Sequence, residues 1–134
     1  MPEARTLVPG QAEGEALVLA EALSFWGGLD PATGEIVDVH HPQRGVVVTR
    51  RVLVMPSGRG SSSSSSVLAE AIRAGTGPVA IVLAEPDPIV ALGAIVAREL
   101  YGVAIPVVVG DVALPDGVRV RVMADEQRSV IEPA

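Results

Sequence analysis

The spacing of hydrophobic and polar positions changes near the middle of the chain, and the two halves predict different structures. In the first half, short runs of Val, Leu and Ile are separated by Gly, Pro and Asp residues. Such runs between turn residues are typical of strands joined by short loops. We therefore interpret the first half as an antiparallel β meander. Its predicted strands are residues 6–8, 15–22, 35–39 and 46–55.

The second half alternates between strand-like and helix-like patterns. Apolar residues at helical spacing predict a helix over residues 65–74, and Gly75 stands where a left-handed residue would end it. An Asp-Pro pair at 87–88 predicts the start of a second helix that runs to about residue 100. This helix is apolar on almost every side, so we expect it to be well buried. The predicted strands of this half are residues 78–84, 104–109 and 118–123.

Together these elements predict a single α/β domain over residues 1–134, in which the meander is followed by a β-α-β-α-β unit. Strands linked through helices favour parallel pairing, because the helical crossover returns the chain to the same end of the sheet. Residues 1–13 are polar and contain a Pro-Gly pair, so we expect a loose lead-in apart from the short strand at 6–8. The tail at 125–134 is also expected to be loose.

Composition narrows the classes of function. The net charge is −6 and the ten basic residues are not clustered, which argues against nucleic acid as a partner. The chain has no run of about twenty apolar residues and no charged-then-apolar leader, so we expect neither a membrane span nor export. We therefore take the cytoplasm as the default location. There is no cysteine to bind zinc or an iron–sulfur cluster.

The few side chains capable of chemistry leave several interpretations open. His40 and His41 are neighbours, which point in opposite directions on a strand, and no third ligand is near in sequence. We therefore expect no metal site in this chain. Asp30 and Asp38 fit either an acid–base pair or two turn residues. The aromatic pair at 25–26 is either a plug in the core or part of a docking surface.

The most informative stretch is a run of six serines, residues 61–66, which follows a glycine turn and opens the first predicted helix. A helix N-terminus offers unpaired N–H groups and partial positive charge, which suit a carboxylate, a phosphate or a developing alkoxide. A Gly/Ser run is often a flexible linker, but the strand before it and the helix after it argue against that interpretation. One serine acting as a helix cap is the other alternative. Arg59 is either an anion clamp or an exposed loop arginine.

Several motifs, taken in order, resemble one known family. They are Ser24-Phe25-Trp26-Gly27-Gly28-Leu29-Asp30-Pro31-x-x-Gly34, His41-Pro42-x-x-Gly45, Gly58-Arg59-Gly60-Ser61-Ser62 and Asp87-Pro88-Ile89-x-x-Leu92-Gly93-Ala94. The set covers residues 14–109 and resembles the small, swivelling domain of the aconitase X family. This resemblance implies a swivelling β/β/α sandwich-like domain and hydro-lyase chemistry. It also implies a large catalytic subunit that carries an iron centre or iron–sulfur cluster, with none in this chain.

The resemblance further implies roles for the serine stretch. Ser61 corresponds to the serine that removes the substrate proton, and Ser62 to a neighbour that contacts the substrate. Ser63 stands where the tricarboxylate enzymes of the superfamily have an arginine, so that contact does not carry over. The other residues expected to bind substrate are Arg59, Gly60 and Ser65.

The family resemblance implies one of two activities: dehydration of cis-3-hydroxy-L-proline, as in bacteria, or dehydration of 5-phosphomevalonate, as in archaea. The unbroken serine run and Trp26 look closer to the bacterial type. We therefore expect the small subunit of a two-chain dehydratase that acts with a large subunit on a small carboxylic acid, cis-3-hydroxy-L-proline. The alternatives are a phosphomevalonate dehydratase small subunit and a non-catalytic module that binds an anion and docks a partner.

Overall fold

The computed structural model describes residues 3–134, which form nine strands and three helices. The strands are β1 (Glu3–Val8), β2 (Gly10–Val18), β3 (Leu29–Asp30), β4 (Glu35–Ile36), β5 (Val52–Met55), β6 (Ala80–Leu83), β7 (Val107–Val109), β8 (Arg119–Ala124) and β9 (Ser129–Pro133). The helices are α1 (Phe25–Gly28), α2 (Ser63–Ala74) and α3 (Pro88–Tyr101). α1 is a single irregular turn, because two of its residues have non-helical backbone angles.

Seven of the strands form a closed barrel in the order β1-β7-β6-β5-β2-β8-β9, and β9 returns to β1. β5, β6 and β7 are parallel and are joined through α2 and α3, which confirms the predicted β-α-β-α-β unit. β2 extends this parallel wall beside β5. β8 and β9 form the opposite wall, where the pairing with each other, with β2 and with β1 is antiparallel.

Alternate residues of the parallel strands enter two separate cores. Val52 and Val54 of β5 belong to a cluster of small aliphatic side chains inside the barrel. Leu53 and Met55 of the same strand belong to a second cluster, which lies beneath α2 and α3. Both faces of the strand are covered, and this is why its sequence is a continuous hydrophobic run. The layers are therefore an antiparallel wall, a parallel wall and the helices.

The ends of the two long helices follow local signals in the sequence. α3 begins after Asp87, whose Oδ1 accepts hydrogen bonds from the N–H groups of Ile89 at 2.9 Å and Val90 at 3.2 Å. Pro88 occupies the start of this helix, as predicted. α2 ends at Gly75 in the left-handed conformation, also as predicted. No helix within residues 3–134 is both long and apolar enough to cross a bilayer.

The prediction of loose ends is wrong for residues 3–13 and 125–134, while residues 1–2 lie outside the described residues. β1 pairs with β7 and β9, and β2 already begins at Gly10 and pairs with β8. In the tail, β9 pairs with β8 and β1, and the hydroxyls of Thr6 and Ser129 are hydrogen-bonded at 2.5 Å. These segments look unstructured in sequence because they are polar and short. β1 and the start of β2 pair with strands about a hundred residues or more away, so no local pattern reveals those pairings, whereas β9 pairs with β8 through a short hairpin.

The antiparallel meander is also wrong for most of the first half. β2 is parallel to β5, and the predicted strand at 15–22 is shifted to Gly10–Val18. Of the predicted meander, the described residues contain one antiparallel hairpin of consecutive strands, which is formed by β3 and β4. The predicted strand at 46–55 is reduced to Val52–Met55. A turn precedes it, in which Arg50 has a φ of 61° and the Arg51 N–H bonds to the Val48 carbonyl at 3.0 Å.

The expectation that α3 is well buried holds for one side of the helix only. Val90, Ala94 and Ala97 are buried, whereas Leu92 and Leu100 expose 48% and 69% of their surface. The apolar sequence of this helix therefore exceeds what its own core requires.

Candidate functional site

The serine stretch lies where β5 ends and α2 begins, at the carboxyl edge of the parallel wall. In open α/β sheets this edge is where ligands usually bind. Gly58, in the turn, forms a parallel bridge with Leu23, which brings the loop before α1 alongside the serine turn. Two loops that are remote in sequence therefore build one surface.

The serine turn depends on Gly60, which has a φ of 108°. A β-carbon at this position would lie 3.1 Å from the Ser24 β-carbon and collide with the Ser24 hydroxyl. The turn thus needs glycine both for its backbone angle and for its close approach to Ser24. The prediction that Gly60 itself contacts substrate remains untested, but the glycine is required to shape the turn.

Ser61, Ser62 and Ser63 are exposed at the start of α2. Ser62 occupies the N-cap position of α2 with helical backbone angles, but its side chain makes no capping hydrogen bond. The alternative of a serine side chain that caps this helix is therefore wrong. Within the described chain, no hydrogen bond restrains the Ser61 hydroxyl, which is therefore available to a ligand. Ser65 donates its hydroxyl to the Ser62 carbonyl at 2.7 Å, so it lies in the first turn and braces the backbone.

Ser64 differs from its neighbours because it is buried, with 4% of its surface exposed. Its Oγ accepts a hydrogen bond from the Trp26 N–H at 3.2 Å and lies 3.4 Å from the Ser24 Oγ. No pattern in the sequence points to a role for Ser24 or Ser64. Ser24 does open one of the motifs quoted above, but nothing in that motif indicates contact with a serine forty residues later.

Arg59 lies beside the serines and is half exposed. Its Nη2 is 3.7 Å from Asp38 Oδ2, a long ion pair at the surface. Such pairs contribute about 0–1 kcal/mol, so the guanidinium can leave Asp38 for an incoming anion at small cost. The other Asp38 oxygen accepts the His40 N–H at 2.9 Å, and Asp30 accepts the Ala32 N–H at 2.9 Å. Both aspartates therefore stabilise turns, which agrees with the interpretation of Asp30 and Asp38 as turn residues rather than as an acid–base pair.

Asp87 forms the wall behind the serine turn, a role that sequence reasoning missed. One oxygen caps α3, and the carboxylate lies so close to Gly58 that a side chain there would collide with it and with Val90. The predicted Asp-Pro helix start was the available signal. Charges of both signs therefore lie along the turn before the serines: Arg59 within it, Asp38 paired with Arg59, and Asp87 against Gly58.

The two histidines are not placed as a metal site. His41 is buried, its Nδ1 accepts the Gln43 N–H at 3.0 Å, and its Nε2 lies 3.3 Å from the Glu21 carbonyl oxygen. These contacts are met by an imidazole that accepts at Nδ1 and donates from Nε2, and they give His41 a structural role. His40 is exposed. No group of three or more His, Asp or Glu side chains suited to a metal ion occurs among residues 3–134.

The aromatic pair divides between core and surface. Phe25 is 1% exposed and belongs to the core beneath the helices. Trp26 is 59% exposed, next to the serine turn, and Val39 on a nearby loop is 62% exposed. Phe25 is thus the plug, and Trp26 is the residue left for a docking surface.

Comparisons with known proteins agree on one family. A family model described as the aconitase X swivel domain matches residues 2–132. The chain is similar to a cis-3-hydroxy-L-proline dehydratase of Pseudomonas aeruginosa, with 54% identity over 103 residues that cover 77% of this chain and 18% of that protein. It thus spans less than a fifth of the length of that dehydratase, and the same is true of its counterpart from Hypocrea jecorina.

The chain is also similar over nearly its whole length to two archaeal proteins. A phosphomevalonate dehydratase small subunit of Pyrococcus furiosus is 42% identical over 130 residues, which are 96% of this chain and 91% of that one. The crystal structure of Thermococcus kodakaraensis aconitase X in its holo-form superposes with a TM-score of 0.85 at 39% identity, covering 98% of both chains. The relatives therefore carry the names of both activities that the motifs implied.

Proposed function

The chain belongs to the aconitase X swivel-domain family, and we propose that it is the small subunit of a two-chain dehydratase. The family assignment confirms the resemblance drawn from the ordered motifs. The single observation that carries the proposal is the exposed Ser61 at the N-terminus of α2, with its hydroxyl unrestrained and a cation beside it. In this proposal a large subunit covers that face and completes the site.

Ser61 acts as the general base. A serine hydroxyl is a weak base unless its alkoxide is stabilised. The N–H groups of Ser64 and Ser65 already donate to backbone carbonyls at 3.0 and 3.2 Å, so the stabilisation comes from the N–H groups of Ser62 and Ser63. Arg59 adds a positive charge once it leaves Asp38. The proton removed from the substrate carbon passes to the Ser61 oxygen. Because the turn is open to solvent in this chain, the partner must exclude water for these charges to act strongly.

An iron centre, which the family implies, does not fit the residues of this chain. The chain has no cysteine, and its described residues bring no three carboxylate or imidazole ligands together. We therefore propose that the partner holds the iron, and we derive no step through it. This chain contributes the base, the residues that bind the substrate carboxylate and one wall of the site.

The charges around the turn favour cis-3-hydroxy-L-proline as substrate. An amino acid carries one carboxylate and one ammonium group, which suit Arg59 on one side and Asp38 or Asp87 on the other. A phosphate would add about 1.5 to 2 further negative charges at neutral pH, and Arg59 is the one basic residue in the sequence from 52 to 72. The 54% identity to the hydroxyproline dehydratase supports the same choice.

A second candidate is the small subunit of a phosphomevalonate dehydratase. It is favoured by the match of 96% of this chain to 91% of such a subunit, whereas the hydroxyproline enzymes are much longer proteins. In that case the cations that bind the phosphate would come from the partner. A non-catalytic docking module is the remaining alternative.

The test is to purify the chain in complex with an aconitase X large subunit from the same organism and to assay both substrates. We expect turnover of cis-3-hydroxy-L-proline by the complex and none by the chain alone. Turnover of phosphomevalonate alone would reverse the choice of substrate, and a stable complex that is inactive on both would favour the docking module. Arg59→Lys should lower activity by an intermediate amount, because Lys keeps the charge but loses the fork that fits a carboxylate. Arg44→Lys, at an exposed loop position outside the site, is the matched control.

A further inference from the structure

Three residues form a closed ring of hydrogen bonds between α1 and the first turn of α2. The Ser24 hydroxyl donates to the Trp26 carbonyl at 2.9 Å, and the Trp26 N–H donates to the Ser64 Oγ at 3.2 Å. The two hydroxyl oxygens are 3.4 Å apart. Because the Ser24 proton is directed to the Trp26 carbonyl, the Ser64 hydroxyl donates to the Ser24 Oγ. Each hydroxyl in the ring is therefore both donor and acceptor.

The ring fixes both ends of the segment that holds Ser61. On one side, Gly60 packs directly against Ser24, so closely that a side chain at position 60 would collide with it. On the other side, Ser64 is buried and bonded to the Trp26 backbone. The three residues between them, Ser61, Ser62 and Ser63, are exposed, and none of their side chains makes a hydrogen bond within the described residues. Their position is set through their neighbours.

The ring also connects the serine turn to an exposed aromatic side chain. Trp26 takes part through its backbone N–H and carbonyl, while its indole is 59% exposed. A surface tryptophan held by two backbone bonds is well suited to an interface, because less conformational freedom is lost when a partner binds it.

We propose that Ser24 and Ser64 are positioning residues, which hold the Ser61 hydroxyl in the geometry for proton removal and fix it relative to Trp26. This inference rests on the proposed dehydratase function. Misplacement of a reacting group by about 1 Å can lower a rate by about 10²-fold, so a ring that acts on both flanks of Ser61 has a large effect on catalysis. Its effect on substrate binding is small, since the Ser64 hydroxyl is buried and the Ser24 hydroxyl is bonded to the Trp26 carbonyl.

The first experiment tests the ring without any assay of activity. Amide hydrogen exchange of the full chain is followed by NMR for wild type, Ser64→Ala and the control Ser66→Ala. Ser66 is exposed and lies on the same helix, so it matches the gain in helix propensity. In Ser64→Ala we expect the Trp26 amide to exchange at least about tenfold faster, because local opening no longer has to break its hydrogen bond to the Ser64 Oγ. In the control its exchange rate should be unchanged. An unchanged rate in Ser64→Ala would overturn the proposal.

The second experiment measures kinetics of the reconstituted complex. Ser64→Ala and Ser24→Ala should each lower kcat by about 10- to 100-fold with little change in KM, and Ser66→Ala should do neither. The double variant should be no slower than the slower single variant, since residues that act as a unit are not additive. A kcat equal to that of Ser66→Ala, a change in KM alone, or additive losses would overturn the proposal. A wild-type complex inactive on both substrates would contradict the proposed function instead, and the amide exchange would still decide whether Ser64 restrains the turn.

Discussion

Replacing Gly60 with alanine tests the structural basis of the serine turn. An alanine at a φ of 108° lies outside the regions that residues with a side chain usually adopt, which costs about 1–3 kcal/mol. The new β-carbon would also displace the Ser24 hydroxyl from the Trp26 carbonyl, and a lost hydrogen bond costs about 1 kcal/mol. We therefore expect Gly60→Ala to lower the free energy of unfolding by about 2–4 kcal/mol, which leaves a domain of ordinary stability folded.

Gly75→Ala is the matched control. Gly75 also has a positive φ, 78°, but a β-carbon there would meet no atom within 4 Å. Both substitutions reduce the freedom of the unfolded chain equally, so that contribution cancels in the comparison. The control should cost about 1–2 kcal/mol, from the left-handed conformation alone.

Urea unfolding of the isolated chain measures both values, and an unchanged m-value shows that the compactness of the end states is the same. If the collision with Ser24 is real, Gly60→Ala should cost less in a Ser24→Ala background than in the wild type. A Gly60→Ala variant as stable as Gly75→Ala, or a cost unaffected by Ser24→Ala, would refute the reasoning.

Three further predictions concern docking, pH and iron. Trp26→Ala should weaken binding to the large subunit while changing the free energy of unfolding by less than about 0.5 kcal/mol, because the indole is 59% exposed. Titration calorimetry measures the binding and scanning calorimetry the stability; a loss of stability with unchanged binding would contradict this prediction. Hydrogen bonds from Arg119 and then Arg121 lower the pKa of Glu13 below its usual 4.5, so its stabilising effect is present above that value and is lost as pH falls through the lowered pKa. Glu13→Gln should therefore lose less stability than wild type between pH 6 and acidic pH in urea titrations, and an identical loss would contradict the assignment. The isolated chain, after dialysis against a chelator, should contain no iron by elemental analysis, whereas one equivalent per chain would place the metal here.

Local sequence signals predicted the second half of the fold well. The Asp-Pro start of α3, the left-handed Gly75 after α2 and the continuous apolar strands each depend on neighbouring residues, and each is present. The barrel was not predictable in the same way. Its closure through β1 and β9 depends on partners at the other end of the chain, and the polar residues of those strands gave no alternating pattern.

The surface proposed as the site comes from a sequence prediction, and its internal contacts were not predictable in the same way. The glycine turn before a helix predicted that the serine stretch opens α2, which the structure confirms, and it placed Arg59 in the turn beside it. The burial of Ser64 was not visible, because six identical residues carry no signal that one of them bonds to another loop. The exposure of Leu92 and Leu100 was not predicted either. An apolar sequence predicts burial, but it does not tell whether the covering surface belongs to this chain or to another.

The central claim is that Ser61 removes the substrate proton, and Ser61→Ala in the reconstituted complex tests it most directly. We expect kcat to fall by about 10²–10⁴-fold, the usual effect of losing a general base. KM should change little, because the lost interaction belongs to the transition state. Ser63→Ala, an exposed serine in the same turn, is the control and should keep nearly full activity at equal subunit stoichiometry. A Ser61→Ala complex with turnover close to that of the Ser63→Ala control would contradict the account and remove the serine turn from the chemistry.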